Sequence, residues 1–240
     1  MNKETARNKI YFIHIRKTAG TSLRSCIANE FSREKICPFY SEVSLRRNIP
    51  LGERVNHVKK YDFISGHFYS LGTPLKDDFF IFTILRNPLD RTISVFNHMK
   101  NDKSDYYYKP IANLSLIEAF DSEIFKNELW NGQTRQLVAN AGYDFDSLTT
   151  EDSLEIAKDY IQKIDFFGIH ELLQDSGLRL FQKIGFDTLK NIPWRNQEIT
   201  SNGIKKSELS ETEITVIKNY NFIDEQLYHF SINLFNDKSI

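Results

Sequence analysis

Apolar residues recur along this chain in two rhythms. Four short runs are rich in strand-forming residues: Ile10–Ile15, Tyr61–Ser65, Phe79–Leu85 and Phe166–Ile169. The third is almost continuously apolar, as a strand buried on both faces should be. Between the runs the spacing turns helical. Leu23, Ile27 and Phe31 predict a helix from about Thr21 to Phe31, and Ile93 and Phe96 mark one near Asp90–Asn101, with Pro88 in its first turn. Helical patterns resume at Leu114–Leu129 and Thr134–Val138. Thr149 and Asp152 have capping-box spacing before a helix to about Lys163, and a helix over Leu172–Ile184 ends at Gly185. Ser210 and Glu213 repeat the capping signal ahead of a C-terminal helical region marked by Ile214, Ile217, Phe222, Leu227, Phe230 and Leu234. Polar stretches 32–60, 101–113 and 191–206 read as loops and short turns, the second of them exposed and tyrosine-rich.

Strands alternating with helices predict an α/β fold with a parallel sheet and helices on its faces. No repeat, low-complexity tract or linker divides the chain, so a single domain over 1–240 is expected. Ligands of such folds gather at the carboxyl ends of strands. That rule gathers the turn at Arg16, His67 and Arg86 along one sheet edge.

Charge narrows the chemistry. A net charge of -1 gives no global basic footprint, so nucleic acid is not an expected partner and any anion site must be built locally. Cys26 and Cys37 form no C-x-x-C or metal-ligand pattern and read as reduced structural thiols. No His/Cys/carboxylate cluster has ligand spacing, and no metal is expected. The polar first residues and the lack of a bilayer-length apolar run predict a cytoplasmic protein with no transmembrane segment.

The first strand runs into Arg16-Lys17-Thr18-Ala19-Gly20-Thr21-Ser22. A helix starting there leaves backbone N–H groups unpaired at its positive end. Gly20 admits a close backbone approach, Thr18, Thr21 and Ser22 bring hydroxyls, and Lys17 brings a charge. The turn is either a phosphate cradle or an ordinary capped βα turn. It lacks the G-x-x-x-x-G-K-[ST] order of ATP-hydrolysing loops, since Lys17 precedes its only glycine. A second cluster, Arg86-Asn87-Pro88-Leu89-Asp90-Arg91-Thr92-Ile93-Ser94, sets a guanidinium at a strand end and Ser94 two turns along the next helix. Arg91 either serves the site or pairs with a carboxylate.

Together, K-T-A-G-T-S after strand one and R-N-P-L-D-R-x-x-S after a later strand resemble the sulfotransferases that use 3′-phosphoadenosine-5′-phosphosulfate (PAPS), most of all the heparan-sulfate 2-O-sulfotransferases and their bacterial relatives. Gly66-His67 is similar to the family's G-H segment, Asn131-Gly132-Gln133-Thr134 to its N-x-Q-T, Phe167-Gly168-Ile169-x-Glu171 to its strand-to-helix segment and Asp224-x-x-Leu227-Tyr228 to its closing motif. Arg16 stands where relatives have proline, and Ser65 where heparan-type enzymes carry a second histidine.

The resemblance implies a P-loop-like three-layer fold and sulfuryl transfer to a hydroxyl, with a glycan as the acceptor. It implies His67 as catalytic base and Lys17 as charge stabiliser. Lys17, Thr18, Ala19, Gly20, Thr21 and Ser22 would hold the 5′-phosphosulfate end, and Arg86 and Ser94 the 3′-phosphate; Arg16 is a further cofactor-binding candidate that the resemblance does not explain. Gln133, Thr134 and Tyr107 are candidate substrate contacts, although capping and packing explain them equally well. Arg195, Lys205 and Lys206 lie in a late loop that either closes over the nucleotide or is merely solvated. The competing readings are a small-molecule kinase of the same general fold and a non-catalytic nucleotide-binding protein. His67 itself is either a base or a structural histidine bonded to backbone.

Overall fold

The computed structural model describes residues 8–186 and 203–237; Arg195 and the first seven residues lie outside them. Four parallel strands, β1 (Ile10–Ile13), β2 (Phe63–Gly66), β3 (Phe80–Leu85) and β4 (Phe166–Ile169), form one sheet in the order β2-β1-β3-β4. Their register aligns Ile13 with both Gly66 and Thr83, and Leu85 with Ile169. The first residues beyond the four strands are therefore His14, His67, Arg86 and His170, all along one edge. Every strand residue except Phe80 is buried, which is why the sequence runs lack polar alternation.

Helices flank this sheet. The principal ones are α1 (Gly20–Ala28), α2 (Glu42–Asn48), α3 (Pro88–Asn101), α4 (Gly132–Asn140), α5 (Thr150–Lys163), α6 (Leu173–Ile184), α7 (Glu211–Tyr220) and α8 (Phe222–Asp237). Thr149 accepts from the Asp152 N–H, Gly185 closes α6 at φ 76°, and Ser210 and Glu213 make a complete capping box. The sheet packs into one large apolar cluster, while α3, the segment 107–130 and α7 share a second one. Cys26 and Cys37 are buried and are not joined in a disulfide.

Three boundaries differ from the expectation. β1 stops at Ile13, so His14 and Ile15 belong to the turn, and α1 ends at Ala28 rather than Phe31. The helix expected over Leu114–Leu129 is broken into Leu116–Phe120, Glu123–Phe125 and Lys126–Leu129, because the chain turns at Asp121-Ser122 to fold Phe120, Phe125 and Leu129 into the same cluster. The tyrosine-rich stretch is not wholly exposed. Tyr108–Ile111 forms a helical turn with Ile111 buried, and only Tyr106 of the three tyrosines is largely exposed, at 79%. Among the described residues no helix is long and apolar enough to cross a membrane.

Candidate active site

The turn between β1 and α1 has unusual backbone geometry. Lys17 and Ala19 both take left-handed conformations, at φ 64° and φ 68°, where a side chain ordinarily costs about 1–2 kcal/mol. Surrounding bonds hold them there. The Thr18 hydroxyl donates to the Ile15 carbonyl at 2.9 Å, Arg86 Nη1 to the Lys17 carbonyl at 2.8 Å, and Arg91 Nε to the Arg16 carbonyl at 3.2 Å. Strain fixed in this way is characteristic of ligand clamps. Gly20 has a packing reason besides the expected anion approach. A Cβ there would sit 1.9 Å from the His14 ring, so the glycine makes room for an imidazole.

A cleft of about 770 Å³ opens over this turn, within the usual range of small-molecule sites. Arg16, Lys17, Ala19, Gly20, Thr21, Ser22, His67, Arg86 and Ser94 all line it. Lys103, Lys205 and Lys206 add positive charge, against Asp90 and Asp102. Lys206 pairs with Asp90 at 2.9 Å. Asn97 holds Ile204 by two backbone bonds, of 2.8 and 2.9 Å, which keeps this late segment at the rim.

Burial, then Arg86 and Arg16, lower the Lys17 pKa. Burial also lowers that of Arg86, partly opposed by Glu171 and Asp90. The Nε of Arg86 is buried with no hydrogen-bond partner among the described residues. An unpaired guanidinium N–H beside a cleft suits an anion.

His67 donates from Nδ1 to the His14 carbonyl at 2.7 Å, which leaves Nε2 as the lone-pair nitrogen. Burial lowers its pKa to about 4; Glu128 and the bond to His14 work upward, Arg16 and Arg91 downward. The imidazole is therefore neutral near pH 7.

Four sequence candidates do not reach the cleft. Thr18 is fully buried, its hydroxyl committed to Ile15. Gln133 is buried and clamps the Arg86 backbone: its Oε1 accepts from the Arg86 N–H and its Nε2 donates to the Arg86 carbonyl, both at 2.9 Å. Thr134 gives its N–H and its hydroxyl to Asp224 Oδ1 at 2.8 and 2.6 Å. Tyr107 packs edge-on against Phe125, 5.5 Å between ring centres. These residues shape the site from behind.

Arg16 lines the cleft, but its guanidinium is bonded to Asp105 and lies 3.5 Å from Glu128. Arg91 donates to the Glu128 carbonyl at 3.0 Å and is buried, so it belongs to this network.

The motifs interlock. Asn131, left-handed at φ 49°, accepts from the Ile223 and Asp224 N–H groups, while Asp224 Oδ2 accepts from the Gln133 N–H at 3.1 Å. Glu171 accepts from the Asn87 N–H at 3.0 Å and the Tyr228 hydroxyl at 2.8 Å. Burial would raise the Glu171 pKa, but these bonds and one from His170 hold it down to about 2.

Sequence alone assigns neither His14 nor Tyr40 to the site, although both line the cleft. His14 stands at a strand end, where the sheet-edge rule applies to it as it does to His67. Tyr40 comes from an aperiodic polar stretch with no signal of its own. It reaches the cleft because Ser41 bridges His67 beside β2.

A parallel α/β sheet of P-loop-like form thus carries a strained basic turn, a histidine and an arginine together at its carboxyl edge. The chain belongs to the sulfotransferase family, whose model matches residues 5–235. Comparison with curated proteins gives no match. Among the described residues no group of three or more His, Cys, Asp or Glu side chains is placed to hold a metal.

Proposed function

We propose that this sulfotransferase takes its sulfuryl group from PAPS and passes it to a carbohydrate hydroxyl, with His67 as general base, all within one catalytic domain. The observation that carries the reading is the shared cleft of His67, Lys17 and Arg86, with His67 held in the tautomer that leaves Nε2 unprotonated.

The donor supplies an activated sulfuryl group, and the protein's task is positioning and charge stabilisation, as in phosphoryl transfer. Lys17 and the N–H groups at the start of α1 face the 5′-phosphosulfate end and offset charge growing on the leaving phosphate. Arg86, with its free Nε, and Ser94 take the 3′-phosphate. His67 Nε2 accepts the acceptor hydroxyl's proton as its oxygen bonds to sulfur and the bond from sulfur to the leaving phosphate oxygen breaks. Carbohydrate as the acceptor rests on the resemblance of the paired motifs to the heparan-sulfate group.

The test is transfer of radiolabelled sulfuryl from PAPS to glycans of a cell extract. Wild type labels them, and His67→Ala falls by about 10²–10⁴-fold with unchanged affinity for adenosine 3′,5′-bisphosphate. Full activity in the variant removes His67 from the mechanism; labelled protein or lipid with unlabelled glycan replaces the acceptor.

A further inference from the structure

The cleft contains a second imidazole that the mechanism above does not use. His14 follows β1 as His67 follows β2, and the two rings lie 4.7 Å apart. The His14 ring stacks on Phe12, 5.2 Å between centres, and it is only 4% exposed. Its Nε2–Cδ2 edge occupies the place where a Gly20 side chain would stand, on the cleft wall at the start of α1. Nδ1 is 2.6 Å from the Tyr40 hydroxyl.

Direction can be assigned to that bond. A phenol O–H is a better donor than acceptor toward the lone pair of a neutral imidazole, which favours Tyr40 as the donor across the 2.6 Å contact. The Tyr40 proton is then directed to His14 Nδ1, and the ring proton must reside on Nε2. Burial first, then His67, Arg24, Arg16 and Lys17, hold the His14 pKa well below its ordinary value. The ring is a neutral donor, fixed in position, at the point where Lys17 and Gly20 meet the cleft.

We propose that His14 is a second catalytic imidazole, its Nε2–H bonding the sulfuryl group in flight while its backbone carbonyl sets the tautomer of His67. It transfers no proton. It donates one hydrogen bond to a sulfuryl oxygen, and Tyr40 acts as a positioning residue that keeps the donor proton on Nε2. One residue thus orients the base through its backbone and the electrophile through its ring. Gly20 is required because the ring occupies the volume above it. The proposal rests on the PAPS reading.

The experiment is nitrogen-15 NMR of histidine-labelled full-length protein, free, with adenosine 3′,5′-bisphosphate, and with PAPS in the absence of acceptor. His14 is expected as the Nε2–H tautomer throughout, and its Nε2–H proton is expected to move downfield with PAPS but not with the bisphosphate, which lacks the sulfuryl group. Tyr40→Phe keeps the ring packing and removes the lock. Its kcat is expected to fall about tenfold with bisphosphate affinity within about twofold, a split that a packing role alone would not give. An Nδ1–H tautomer, an equal response to both nucleotides, or an unchanged kcat in Tyr40→Phe overturns the role of His14 while leaving the donor reading intact. Absence of any response to either nucleotide overturns the donor reading and this proposal with it.

Discussion

Gln133 and Arg86 exchange two hydrogen bonds, each of 2.9 Å, between a buried side-chain amide and the backbone at the end of β3. The amide stands in for a neighbouring strand just where the sheet stops, and so fixes the point from which the Arg86 guanidinium enters the cleft. Gln133 is fixed in turn by α4, whose first N–H groups are capped by Asp224.

Replacing Gln133 with Leu leaves the Arg86 N–H and carbonyl without their partner at a half-buried position. Each unmet group costs up to about 1–3 kcal/mol when buried, so at this half-buried site chemical denaturation is expected to show a loss of about 2 kcal/mol or more, below the roughly 6 kcal/mol of two fully buried groups. Affinity for adenosine 3′,5′-bisphosphate should fall with it, more than affinity for adenosine 5′-phosphate. A variant that binds and unfolds like wild type would show that Gln133 does not position Arg86.

Arg16 stands between two carboxylates whose side chains are 5% and 11% exposed. Removing one partner from a buried ion network strands the others, at about 3–5 kcal/mol. Arg16→Gln is therefore expected to be among the more destabilising substitutions in the turn, and combining it with Asp105→Asn should recover part of the loss. If Arg16→Gln instead leaves stability unchanged and abolishes nucleotide binding, the residue is a direct donor contact and its ion pairs are incidental.

Acid pH tests the state of His67. Its folded pKa is depressed to about 4 from an ordinary 6.5, so the unfolded chain takes up a proton that the folded one refuses. Stability from this group is complete above pH 6.5 and is lost progressively as pH falls toward 4, by about 3 kcal/mol in all. The kcat/KM profile, which reports free enzyme and substrate, should stay level down to about pH 5 and decline near 4. A decline centred between pH 6 and 7 would mean that the base titrates as an exposed histidine.

Much of this was legible in the chain because the relevant signals are local. Short runs of strand-forming residues marked the four strands, and the sheet-edge rule then gathered the turn at Arg16, His67 and Arg86. The roles of individual polar residues were less legible. Thr18, Gln133 and Thr134 have the same donor chemistry whether they face a ligand or a buried carboxylate, and only packing distinguishes the two. Arg16 looked like a departure in an anion loop; its partners Asp105 and Glu128 lie far along the chain, on segments that the helical periodicity did not separate. Tyr40 and the ring of His14 meet across β2 and α1, a relationship that no spacing encodes.

The central claim is that the cleft accepts a nucleotide marked by a 3′-phosphate. Calorimetric titration with adenosine 3′,5′-bisphosphate, set against ATP with magnesium, tests it most directly. The account predicts binding of the bisphosphate at least about tenfold tighter, a difference of about 1.4 kcal/mol, that largely disappears in Arg86→Ala. Tighter binding of magnesium ATP, or equal binding of both by wild type, would contradict it.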